Sequence, residues 1–345
     1  MDTPPATLVI ERNGGASWRS RALGAGVGAV VRRRANRVKA RTGTVAGFGP
    51  DDLRRLAALD RLAGYAPLPR GTHVERVRLD GFGAEWVHGT GVGPDRDHGI
   101  MLYFHGGAWV TCGLNTHRRL VSRLSAAAGV PALSVDYRMV PAVPFEAEVE
   151  DCLTSYEWLL DQGVRPQDVV VAGDSAGGYM SFAMTLLARE RGLPLPAGIV
   201  ALSPMLDMDL TAKLEHRNAR LDPTAPMEVL ELLVEFLLPG ADLADPRISP
   251  IQADLRGLPP ALISASSTEI LYCDAERMAH RLAAAGVPCT LKVWDRQLHV
   301  FQALGPLLPE SRAAIAELGA FTAATLAGSA AASSAPAETP CAETS

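Results

Sequence analysis

The chain has 345 residues, 48% of them hydrophobic and 21% charged, with a formal net charge of −5. That is enough apolar material for one large α/β domain with an excursion, or for two smaller domains. The mild acidic balance gives no reason to expect nucleic acid as a partner. The five cysteines (Cys112, Cys152, Cys273, Cys289 and Cys341) have no close pair and no metal-ligand spacing. They read as idle thiols in a reducing compartment rather than as a disulfide framework or a metal centre. The stretch Ala22 to Val31 is apolar but too short to span a bilayer, and no secretory leader is visible. A cytoplasmic chain without stable membrane association is therefore expected.

Residues 1 to about 18 carry no clear period and read as a loose arm. Arg32, Arg33, Arg34, Arg37, Lys39 and Arg41 form a basic cluster, expected to be the solvated face of a helix, with an anionic surface or a partner as the alternative. Asp51 to Tyr65 has Leu53, Leu56, Leu59 and Leu62 on one side, the spacing of an amphipathic helix. Short strands follow at Val74 to Leu79 and Glu85 to His88, then a turn-rich joint from Gly89 to Asp97. Ile100 to Phe104 is continuously apolar and reads as a buried strand. A helix (about His117 to Ala128), a strand (Ala132 to Val135) and a helix (about Glu146 to Leu160) come next. The run Val169-Val170-Val171-Ala172-Gly173 is another buried strand, and Tyr179 to Ala188 has the period of a helix. Ile199 to Leu202 is the following strand.

Strands alternating with helices at this spacing predict a mostly parallel sheet covered on both faces. The alternation then lapses for more than fifty residues after Ser203, with an apolar helix at about Met227 to Leu238. An excursion of that size at the carboxyl edge of a sheet is a natural lid. The sheet resumes with Ala261 to Ala265, a helix (about Cys273 to Ala285), a strand (Thr290 to Trp294) and a last helix (about Glu310 to Leu326). The expected organisation is an N-terminal arm and cap helices at 1–70, core at 71–204, lid at 205–255 and core again at 256–327. The tail at 328–345 is rich in Ala, Ser, Pro and Thr and is expected to be disordered.

The chemistry centres on Gly173-Asp174-Ser175-Ala176-Gly177-Gly178, where a serine sits between a strand and a helix as Gly-x-Ser-x-Gly. In that nucleophile elbow, small neighbours let the chain turn sharply and leave the hydroxyl exposed at the sheet tip. A serine hydroxyl needs a base within reach and a group to orient the base. On such a sheet the partners follow in the order Ser, acid, His, each after a later strand. Of the three histidines beyond Ser175, only His299 follows a strand by a short loop; His216 lies in the lid and His280 in a helix. The acid belongs on the loop after Ala261 to Ala265, where Glu269 is nearest the strand end and Asp274 is the alternative, one turn further on. The oxyanion hole needs backbone amides opposite the elbow. Gly106, Gly107 and Ala108 supply them after the strand Ile100 to Phe104, with Ala176 at the helix start. Asp174 is expected to be a structural acceptor. Trp109, Met205 and Leu206 are candidates to line an acyl pocket, with packing of the lid on the core as the competing explanation for the two lid residues.

Four motifs together resemble the hormone-sensitive-lipase-like family of α/β-hydrolases: His105-Gly106-Gly107, Asp136-Tyr137-Arg138, the elbow, and Asp245-Pro246-x-x-Ser249-Pro250. The likeness runs from about Ile100 to Phe301. It implies an α/β-hydrolase core under a helical cap, built from the N-terminal region and the excursion, and hydrolysis of short- to medium-chain acyl esters. It implies Ser175 as nucleophile and His299 as base, with Gly106, Gly107, Ala108 and Ala176 donating to the oxyanion. Two departures stand out. Ala108 occupies the place of the family's frequent third glycine, and Glu269 stands where the family most often has Asp.

The sequence therefore predicts a serine carboxylesterase acting on a small-molecule acyl ester, with no metal and no organic cofactor. A lactone hydrolase or an acyltransferase with the same triad is the rival among enzymes, and a non-catalytic binding homologue the rival outside them. Pairing of sheet edges offers a route to a homodimer.

Overall fold

The computed structural model describes residues 7–29, 58, 60–222 and 224–334. The basic cluster at 32–41, most of the helix expected at 51–65, Cys341 and the tail from 335 lie outside the described residues. The architecture is a nine-stranded sheet in the order β1-β9-β8-β7-β6-β4-β5-β3-β2. The strands are β1 (Leu8–Asn13), β2 (His73–Arg78), β3 (Gly83–His88), β4 (Ile100–Phe104), β5 (Ala132–Asp136), β6 (Val169–Asp174), β7 (Gly198–Leu202), β8 (Ala261–Ser266) and β9 (Cys289–Trp294). Of these strands β3 is the reversed one, antiparallel to both β2 and β5; the pairs from β5 through β4, β6, β7 and β8 to β9 and β1 are parallel.

Alternation along the central strands divides the core into two layers. Ile100, Leu102, Phe104, Val169 and Val171 point to one side. There they pack with Leu153 and Tyr156 of the helix Phe145–Asp161 and with Met180 and Met184 of the helix Ala176–Glu190. Met101, Tyr103, Val170 and Ala172 point to the other. They meet Leu120, Val121 and Leu124 of the helix Leu114–Ala128, and Ile315 and Leu318 of the helix Pro309–Ser334. Two-sided burial is why these strands read as continuous apolar runs. Beyond β7 the apolar side chains form a second cluster, with Ile199, Ile263 and Leu291 against Met278 and Leu282 of the helix Tyr272–Ala284.

Two expectations need correction. The N-terminal arm is not loose throughout: Leu8–Asn13 forms β1, parallel to β9 at the sheet edge, with residues 18–29 helical after it. Edge position explains the weak signal, because most of β1 is exposed and shows no alternation. The final helix does not stop near Leu326 but continues to Ser334. Its added segment contains Ala327 and Ala330 to Ala332, and alanine is the strongest helix former, so a low-complexity composition there is compatible with regular structure. The excursion between β7 and β8 contains no strand, as expected. It holds the short helix Thr211–Glu215, a 3₁₀ turn at Arg217–Arg220 and the apolar helix Met227–Leu237.

Candidate active site

The carboxyl end of β6 carries the elbow. Ser175 has φ 53° and ψ −115°, a conformation that a non-glycine residue adopts only when its surroundings enforce it. Its amide donates to the Leu202 carbonyl at 2.8 Å, anchoring the corner to β7. Small residues are compulsory around it: a Cβ on Gly177 would run into the Phe104 carbonyl of β4, and one on Gly173 into the Gly177 carbonyl. The helix starts at Ala176.

Two later loops converge on this hydroxyl. His299 Nε2 lies 2.9 Å from Ser175 Oγ, and its Nδ1 lies 2.7 Å from Glu269 Oε2. Because a carboxylate can only accept, Nδ1 carries the proton and Nε2 is the acceptor for the serine hydroxyl. Glu269 is itself held: its Oε1 accepts from the Ser203 hydroxyl at 2.8 Å and from the Ser266 amide at 2.6 Å. The Glu269 carboxylate is buried, whereas the His299 side chain keeps 26% of its surface exposed. Burial disfavours charge on the His299 ring. The hydrogen bond and charge of Glu269, with Asp222 and Asp174 adding to them, outweigh that and hold its pKa above the usual histidine value.

Asp274, the alternative acid, faces elsewhere. Its fully buried carboxylate accepts from the amides of Leu206 at 2.7 Å and Asp207 at 3.0 Å. It also pairs with the equally buried Lys213 ammonium at 2.8 Å. It fastens the start of the excursion to the helix Tyr272–Ala284.

The loop after β4 supplies the opposite wall. Ala108 and Trp109 have positive φ values of 54° and 61°, and Gly107 has φ 134° with the Thr111 carbonyl where a Cβ would stand. Among the described residues the amides of Gly107, Ala108 and Ala176 take no acceptor, so they are free for a ligand oxygen. Gly106 differs from the expectation: its amide donates to Asp174 Oδ1 at 3.1 Å, so it holds the loop and is not free for a ligand oxygen. Asp174 is a structural acceptor, gripped also by Tyr103 Oη at 2.5 Å and His117 Nε2 at 3.2 Å. Burial works against charge on both partners, but their attraction prevails, raising the His117 pKa and lowering that of Asp174.

The three apolar candidates lie in packed surroundings, the competing explanation for the two residues of the excursion. Trp109 is only 1% exposed and sits edge-on to Tyr179 beside Phe145, inside the core layer under the loop. Met205 is buried in the same cluster as the excursion residues Met208, Leu230 and Leu233. Leu206 is fully buried with Phe182 and Ile251. These side chains pack the excursion and the loop onto the core. Side-chain type alone does not reveal which way a residue after a strand turns.

Fold and geometry define an α/β-hydrolase: a serine at the tip of β6, an imidazole and a carboxylate after later strands, and free amides opposite. A family model described as an alpha/beta hydrolase fold matches residues 101–303. The chain is 38% identical to the esterase LipU of Mycobacterium tuberculosis over 262 residues, covering 74% of this chain and 88% of that protein. It superposes on an esterase from the bacterial hormone-sensitive lipase family with a TM-score of 0.78 and 36% identity, covering 91% of this chain and 100% of that one. It also superposes on EstE5, in a crystal soaked with p-nitrophenyl butyrate, with a TM-score of 0.79 and 34% identity, covering 90% of this chain and 100% of that one. The chain belongs to the hormone-sensitive-lipase-like α/β-hydrolases and is a carboxylic ester hydrolase. No metal-binding cluster and no helix long and apolar enough to cross a membrane occur among the described residues.

Proposed function

We propose that the chain is a serine carboxylesterase for short- to medium-chain acyl esters. Ser175 attacks the ester carbonyl while His299 takes its proton and later passes it to the leaving alcohol. Glu269 fixes the tautomer of His299 and stabilises the imidazolium. The amides of Gly107, Ala108 and Ala176 receive the oxyanion, and a water activated by His299 then releases the acid from the acyl-serine. The observation that carries this reading is the unbroken line from Ser175 Oγ through both nitrogens of His299 to a buried carboxylate.

The short acyl preference is supported by Ala108, whose methyl takes up room beside the hole that a glycine would leave, and by EstE5 having been soaked with a butyrate ester. A panel of p-nitrophenyl esters from acetate to laurate tests both parts. Turnover is expected to peak at the short or middle members and to fall about ten-thousandfold or more in Ser175→Ala. Activity that climbs through the longest ester contradicts the acyl assignment, and full turnover by Ser175→Ala contradicts the mechanism.

A further inference from the structure

The loop that presents Glu269 does not stand alone at the end of β8. A segment of the excursion, 216–222, crosses it and binds it on both sides of the carboxylate. Asn218 is fully buried, and its side-chain amide donates to the carbonyls of Ser267 at 2.9 Å and Glu269 at 2.8 Å. Two carbonyl acceptors settle which end of that amide faces the loop, since only the nitrogen can donate. Asp222 Oδ2 accepts from the amide of Ile270 at 2.8 Å, the residue after the carboxylate. The segment is itself braced, with the amides of Leu221 and Asp222 donating to the Asn218 carbonyl at 3.0 Å. The backbone flanking Glu269 is therefore hydrogen-bonded to the excursion at three points, whereas the carboxylate is held from the core by Ser203 and Ser266.

We infer that Asn218 and Asp222 are positioning residues through which the lid sets the acid of the triad, so that the catalytic geometry depends on the lid segment lying in place. The inference rests on the assignment of Glu269 as the acid acting on His299. A displacement of about 1 Å at a catalytic group is enough to cost roughly a hundredfold in rate. Asp222 has a second influence. The charged groups that favour the protonated His299 ring are Glu269 on the loop after β8, Asp222 from the excursion and Asp174 at the end of β6. Loosening Glu269 or neutralising Asp222 removes part of that support, and the acidic limb of the pH–rate profile then moves to lower pH.

The test uses full-length Asn218→Ala and Asp222→Asn, with p-nitrophenyl butyrate kinetics across pH and fluorophosphonate labelling of each protein. Asn218→Ala is expected to lower kcat about ten- to a hundredfold with KM within about twofold, and to move the limb to lower pH. Asp222→Asn can keep an acceptor for Ile270 while removing the charge, but its amide nitrogen then replaces the carboxylate oxygen that accepts from the Thr224 amide at 2.7 Å, the Thr224 hydroxyl at 2.6 Å and the Ala225 amide at 3.2 Å. With its fold checked by circular dichroism, it should keep kcat at its optimum within about threefold and lower the limb by about half a pH unit. An unmoved limb in Asp222→Asn overturns the inference even where Asn218→Ala fails to fold. So does wild-type kcat with an unmoved limb in folded Asn218→Ala. Wild-type protein that takes no label at Ser175 removes the triad assignment and the inference with it, whereas labelled wild type beside unaltered variants removes the inference alone.

Discussion

Two histidine–carboxylate pairs flank Ser175, and they do different work. His299 and Glu269 lie at the rim, with the ring partly open to solvent and its second nitrogen on the serine hydroxyl. His117 and Asp174 lie beneath the elbow, both buried, with Nε2 of the ring on the carboxylate and the remaining oxygen of that carboxylate on Tyr103 and Gly106. Residue types and pKa directions are shared: each histidine is held above its usual value by a neighbouring carboxylate against the effect of burial. What separates them is the second nitrogen. That of His299 is aimed at the Ser175 hydroxyl; that of His117, Nδ1, lies against the Thr116 hydroxyl at 3.0 Å and the Gly113 carbonyl at 3.3 Å at the start of its own helix, while Asp174 holds the loop after β4 through the Gly106 amide. Chemistry follows from what the second nitrogen can reach, not from the presence of a histidine beside an acid.

Removing each ring should break the comparison most visibly. His299→Ala is expected to cost about ten-thousandfold in kcat of the folded protein. Glu269→Gln should follow, at about a thousandfold, because the imidazole loses the partner that fixes its tautomer. Its pH profile sharpens the point. His299 works as a base only when neutral, so wild-type activity falls as pH drops through a pKa above the usual histidine value. Glu269→Gln takes away the main support of that pKa and should carry the limb to lower pH.

His117→Ala should act mainly on stability. It leaves the Asp174 carboxylate buried without its counter-charge, and about 3 kcal/mol should be lost in denaturant unfolding. The loss has a pH signature with a definite sign. Asp174, lowered in the fold, contributes above the ordinary carboxylate pKa, and this is lost as pH falls through its folded value. His117, raised in the fold, contributes below the ordinary histidine pKa, and this is lost as pH rises through its folded value. The stability gap between wild type and His117→Ala should therefore be widest from about pH 4 to 6.5 and narrower above. A gap that grows toward alkaline pH would contradict the charged state of the pair.

Much of this was legible in the sequence because it is written locally. The buried strands announce themselves as apolar runs, and the elbow as a small-residue corner between a strand and a helix. His299 and Glu269 are reachable by counting loops after strands. What escaped is written in tertiary contacts. That Gly106 spends its amide on Asp174 depends on where a side chain 68 residues away in sequence points. Asn218, Asp222, Ser203 and His117 belong to no local motif, and their partners come together only when the excursion folds back over the sheet. β1 is silent in the sequence because an exposed edge strand carries no alternation.

The central claim is that Ser175 is activated through His299. Incubation of the wild type and His299→Ala with a fluorophosphonate, followed by peptide mass spectrometry, tests it most directly. A stoichiometric phosphonyl adduct on the peptide containing Ser175 is expected in the wild type, with parallel loss of ester hydrolysis and with labelling slowed by orders of magnitude in His299→Ala. An adduct on a different residue, or full ester hydrolysis by protein labelled at Ser175, would contradict it.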